Sequence, residues 1–157
     1  MKIGTGISAA VASAAIAAAG IISAPSAAAD NASFGSWEKI TDMNGAAVTI
    51  AAWGVSKPKP SSDMIPGYPL AGTLYEADAG YKAIQGPGTP IIPNLNARTA
   101  DGMNYRVLWQ AATPQGLSGA TINQGDSSKG KVYFDVTGAP PTSVAYFNGA
   151  SDLIVWS

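Results

Sequence analysis

The side chains that could do chemistry in this sequence are carboxylates, lysines, serines and tyrosines, because it contains no histidine and no cysteine. A Ser-His-Asp triad, a Cys-His pair, a structural zinc site and a haem-attachment motif therefore have no residues from which to be built. Ser56-Lys57-Pro58-Lys59 fits the S-x-x-K string of penicillin-recognising enzymes, in which Ser and Lys cooperate because they lie one helical turn apart. Pro58 forbids that helix. Glu76 and Asp78 are two residues apart on one strand face and could form an acid pair for glycoside hydrolysis, but solvated surface charges explain them more simply. The same residues with Asp126 or Asp152 could hold calcium, yet no D-x-D-x-D-G loop is present. Gly86-Pro87-Gly88 lacks the strand-to-helix setting of a phosphate cradle. No catalytic, cofactor or metal residue is assigned, and the expectation is a non-enzymatic protein.

Binding is the chemistry left, and aromatic and arginine side chains are its usual carriers. Most of the 13 aromatics alternate with Val and Ala and read as core. Tyr68, in a proline-rich segment, and Tyr133, on the outward phase of its strand, are the exceptions. Arg106 falls on the polar phase of its own strand, so Arg106, Tyr133 and Tyr68 are the candidate partner contacts.

These residues need elements to hold them. Residues 96–111 join a turn signal, Asp101-Gly102, to an alternating strand in which Met103, Tyr105, Val107, Trp109 and Ala111 form the apolar face. That spacing predicts a half-buried antiparallel strand over residues 103–111 entered from a hairpin, with Trp109 and Phe134 in one core. Upstream, residues 37–41 and 46–55 read as strands joined at Asn44-Gly45, with a β-bulge around Ala51-Ala52 where the apolar phase slips. Residues 56–69 hold four prolines and read as a long surface loop. Residues 70–84 return to alternation, with Gly80 as a bend that lets the strand follow two sheets. A second loop spans residues 85–93, with an edge segment at Ile91-Ile92. Short strands follow at residues 120–123 and 131–137, and the chain ends in a hairpin of residues 142–147 and 152–156 turning at Asn148-Gly149.

Seven to nine short strands, regular turns and no amphipathic stretch of helical length predict an all-β, immunoglobulin-like antiparallel β-sandwich. A small closed β-barrel is the alternative, because alternation does not distinguish two packed sheets from one closed sheet.

The first 29 residues stand outside that fold. Lys2 precedes an Ala/Ile/Val/Gly/Ser run to Ile22, and Ala27-Ala28-Ala29 offers a small-x-small cleavage site before Asp30. This reads as a helical secretory signal peptide, residues 1–29, cleaved on the general secretory route to release one domain, residues 30–157. Extracellular localisation follows, and no later apolar run is long enough to span a membrane. The released part carries ten acidic and eight basic residues, net −2, too balanced for a nucleic-acid footprint. With no cysteine there is no disulfide, so the aromatic core alone must stabilise the domain.

Four blocks carry a resemblance: residues 65–72 (IPGYPLAG), 96–112 (NARTADGMNYRVLWQAA), 118–122 (SGATI) and 130–138 (GKVYFDVTG). They closely resemble the small immunogenic extracellular proteins secreted by mycobacteria. The resemblance implies a secreted antigen with an immunoglobulin-like β-sandwich, similar in shape to domains that bind cell surfaces, with no established biochemical activity and no functional residues to carry over. The expected partner is a host cell-surface or envelope protein. The competing readings are a carrier of a small apolar ligand between the sheets and a hydrolase that works without His and Cys.

Overall fold

A computed structural model of the chain describes residues 28–44 and 47–157. The signal segment up to residue 27 and the tip of the Asn44-Gly45 hairpin lie outside the described residues. Among the described residues ten strands follow in order: β1 (Asp30–Ala32), β2 (Trp37–Asn44), β3 (Ala47–Val55), β4 (Lys59–Pro60), β5 (Thr73–Gln85), β6 (Leu95–Arg98), β7 (Asn104–Arg106), β8 (Ser127–Val136), β9 (Ser143–Phe147) and β10 (Asp152–Trp156), with one 3-10 turn at Ile92–Asn94. They form two sheets. One has the order β1-β10-β9-β6-β7; in the other, β2, β3 and β5 are joined by β4 and β8, both paired with β5. Every strand pairing is antiparallel except that of β1 with β10. The fold is the expected immunoglobulin-like sandwich rather than a closed barrel.

The turns fall where the sequence puts them. Gly102 takes φ 90° between β6 and β7, and Gly149 takes φ 98° between β9 and β10, a backbone region that side chains disfavour. Asn148 completes the second turn by accepting the N–H groups of Ala150 and Ser151 on Oδ1, both at 2.9 Å.

Alternation on β5 and β8 sends Ala77, Ala79, Tyr81, Ala83, Val132, Phe134 and Val136 inward. Across the gap, Leu95, Ala97, Val144, Tyr146, Ile154 and Trp156 come from the first sheet. Trp53 links the layers: its ring stands edge-on to Tyr81 at 5.1 Å and tilted against Tyr146 at 5.4 Å. Such aromatic pairs add about 0.5–1.5 kcal/mol beyond burial, which suits a domain without disulfides.

Several expectations are corrected. Trp109 is not in the core with Phe134; it is 57 % exposed, whereas Phe134 is fully buried. β3 does not change phase, since its pairing with β2 is unbroken and Ala51, Trp53 and Val55 share the inner face with Thr49. Val48 is apolar but faces out, and the bulge lies on β5, where Ile84 is the extra residue between Gln85 and Ala83 opposite Ile50 and Ala51. Gly80 does not carry β5 between sheets. It lies beneath the Trp37 indole, where a Cβ would come within 2.5 Å of the ring. Residues 120–123 make one bridge, Ile122 to Gly88, rather than a strand, and β6 replaces the expected edge segment at Ile91-Ile92.

Candidate functional site

The chain leaves the first sheet just after β7, and that departure builds the site. Val107 donates its N–H to the Leu95 carbonyl at 3.3 Å, but Leu108 donates across to Tyr133 of β8 at 2.8 Å, and Ala111 closes a turn onto Leu108 at 3.0 Å. Crossing between sheets reverses the phase. Leu108 and Ala111 pack on Ile65, Leu74 and Tyr133 in a small second cluster, while Trp109 is pushed out to solvent.

Opposite this turn, residues 61–72 fold back over the outer face of the second sheet instead of standing away from it. Asp135 grips the loop's end, its two carboxylate oxygens accepting the N–H groups of Ala71 and Gly72, each at 2.8 Å. Gly67 at φ 75° and a Tyr68 N–H to Ile65 carbonyl contact of 3.3 Å shape its tip. The result is a cleft of about 360 Å³ whose walls include Tyr68, Arg106, Trp109 and Asp135. Tyr68 and Arg106 are thus brought together, both exposed, with Trp109 between the same walls.

Tyr133 is not with them at the surface. It projects from the outer face of β8 as its phase demands, but the loop and the Leu108 turn cover it to 2 % exposure. Its hydroxyl donates to Asp63 at 2.8 Å and receives the Thr113 hydroxyl at 3.3 Å. Burial pushes its pKa up.

Under the same loop lies a charged cluster that sequence reasoning missed. The Lys131 ammonium donates to Asp63 at 2.8 Å and to Glu76 at 2.9 Å, Ser61 donates its hydroxyl to Glu76, and Lys59 stands 3.7 Å from the other Glu76 oxygen. Glu76 is therefore buried and paired, not one of two solvated charges; Asp78 is the exposed member. The Lys131 and Tyr133 hydrogen bonds hold Asp63 below the ordinary carboxyl range. For Glu76, burial pushes up, but the bonds from Ser61 and Lys131 outweigh it, so its pKa is lowered too. Lys131, bonded to both carboxylates, has its pKa raised.

These directions decide what the cluster can do. A lysine held protonated is neither base nor nucleophile, and carboxylates held as anions are poor proton donors near neutral pH. The cluster is suited to pinning a loop. A signal for it existed only across strands, since Glu76 lies opposite Tyr133 and Asp78 opposite Lys131, while Asp63 comes from a loop with no periodicity. Among the described residues no group of three or more His, Cys, Asp or Glu side chains could hold a metal, and no helix is long and apolar enough to cross a membrane.

Comparison with known proteins fits this geometry. A family profile described as a domain of unknown function (DUF1942) matches residues 29–156. Immunogenic protein MPT63 of Mycobacterium tuberculosis and immunogenic protein MPB63 of Mycobacterium bovis are each 52 % identical over 159 residues, covering 99 % of both chains. The chain belongs to this family of mycobacterial immunogenic proteins. A 1.5 Å crystal structure of MPT63, described as a secreted protein from M. tuberculosis, superposes with a TM-score of 0.78 at 52 % identity, covering 84 % of this chain and 99 % of that one. This solved relative thus shares the two-sheet architecture on which the cleft is built.

Proposed function

We propose that the protein is a secreted, non-enzymatic antigen that works as a binding module, and that the Tyr68–Arg106–Trp109 cleft contacts a host cell-surface or envelope protein. The observation that carries this reading is the exposure of Trp109 at 57 % beside Arg106 and Tyr68. Trp, Tyr and Arg dominate binding hot spots, and a large indole left in water has no folding benefit to explain it. Secretion is supported by the leader and by the description of MPT63 as secreted, and antigenicity by the names of the relatives. Removal of residues 1–29 to leave a single domain, residues 30–157, is supported by β1 starting at Asp30 and by the family profile covering residues 29–156.

A surface role is favoured over a carrier role because the space between the sheets is filled by Trp53, Trp156, Tyr81, Tyr146 and Phe134, each under 2 % exposed. The test is capture from host-cell surface and envelope fractions with the wild-type protein and the double variant Arg106→Ala, Trp109→Ala. A species retained by wild type and lost by a well-folded double variant supports the cleft. Equal retention by both refutes it.

A further inference from the structure

A second surface, at the other end of the same sheet, has a different chemistry. Four residues stand in register across four strands on its outer face: Trp37 of β2, Gly54 of β3, Gly80 of β5 and Lys129 of β8. The indole lies flat on the two glycines, where an added Cβ would come within 3.0 Å of it at Gly54 and 2.5 Å at Gly80. Its other face remains open, leaving Trp37 44 % exposed. The Lys129 ammonium stands 6.0 Å from the ring centroid, at the outer reach of a cation–π contact. The neighbouring row reads Lys39, Ala52, Lys82, Ser127, so two more lysines flank the indole.

Lys39, Lys82 and Lys129 are all exposed, and none makes an ion pair with another described residue, in contrast to Lys59, Lys131 and Arg98. A groove of about 530 Å³ runs over Trp37, Gly54, Gly80 and Lys129, with Asp78 and Gln115 on its walls. Shielding of a glycine backbone accounts for the indole but not for three cations around it that have no ion-pair partner among the described side chains, in a protein of net negative charge.

We propose that this groove binds an acidic glycan, a sugar chain bearing sulfate or uronate groups. The apolar face of a pyranose suits a flat, open indole, and compact ammonium groups on its rim suit the sugar's anionic substituents. Two other polyanions fit less well. Bases of a nucleic-acid strand need successive stacking rings, and Trp37 is the single aromatic of these two rows. A membrane needs apolar groups that project into it, whereas this indole is held flat on the sheet.

The experiment is titration of the purified protein with size-defined heparin and hyaluronan oligosaccharides, with neutral dextran, oligo-dT and phosphatidylserine vesicles as comparisons. Wild type should bind at least one acidic glycan, more weakly as salt rises, and should bind the comparison probes much less. The triple variant Lys39→Gln, Lys82→Gln, Lys129→Gln, which keeps the indole and the fold, should lose roughly tenfold in affinity, as three exposed ion pairs imply. Trp37→Leu should also weaken binding, and its melting curve separates that loss from unfolding. Absence of binding to both acidic glycans, unchanged affinity in the triple variant, or equal binding to oligo-dT or the vesicles would overturn the proposal.

Discussion

Lys131 and Asp63 lie 68 residues apart in the chain and meet at 2.8 Å beneath the loop that forms one wall of the Tyr68–Arg106–Trp109 cleft. Through Lys131 the loop is tied to β8 and, by Glu76, to β5. The cluster is thus a clamp whose strength depends on protonation. Asp63 and Glu76 have lowered pKa values in the folded protein, so each contributes stability above its ordinary value, 3.8 and 4.5, and loses it as pH falls through the folded value. Wild type should therefore melt at lower temperature as pH drops below about 4.5. Lys131→Met should melt well below wild type at pH 7, and the gap should narrow on acidification. A gap that stays constant from pH 7 to pH 3 would show that the loss does not come from pairing with ionised Asp63 and Glu76.

Exposed Trp109 and buried Trp53 give opposite expectations. Trp109→Ala should shift stability by no more than about 0.5 kcal/mol, as for a surface change. Trp53→Ala should cost about 3–5 kcal/mol through lost burial and a residual cavity. Urea midpoints of the two variants check this, and equal midpoints would contradict the burial assignments.

Tyr133 separates packing from hydrogen bonding. Tyr133→Phe keeps the ring but removes the hydroxyl shared by Asp63 and Thr113, at a cost of about 1 kcal/mol. Tyr133→Ala also empties the small cluster with Ile65 and Leu74 and should cost about 3–5 kcal/mol. Denaturant melts with the two variants alike would mean the ring is not packed.

Asp135 should govern the loop rather than the fold. Asp135→Ala removes the acceptor of the Ala71 and Gly72 N–H groups, so hydrogen exchange at those two amides should accelerate while the amides of β5 and β9 stay protected. Unchanged exchange at Ala71 and Gly72 would show that the loop is held by other contacts.

Local chemistry made much of this architecture legible. Asp101-Gly102 and Asn148-Gly149 mark turns because few other residue pairs accept the backbone angles required, and the inner faces of β5 and β8 are legible because every second residue, Ala77 to Ala83 and Val132 to Val136, is apolar and buried. Trp109 could not be placed this way. Its phase is set by the Leu108 N–H reaching Tyr133, a contact between sheets that leaves no local pattern. Tyr133 projects outward as the alternation predicts, but outward means exposed only if nothing lies on top, and the covering Ile65 and Asp63 come from a proline-rich loop about 70 residues earlier. Tyr68 and Arg106 were separate candidates in the sequence. Their meeting depends on Asp135 holding the loop end.

The most direct measurement of the binding account is hydrogen–deuterium exchange of the protein with and without its captured partner. The account predicts slowed exchange at residues 66–72 and 104–111, the two walls of the cleft, with little change in β9 and β10. Protection confined to residues 56–60 or 86–93, with the cleft amides exchanging as in the free protein, would contradict it.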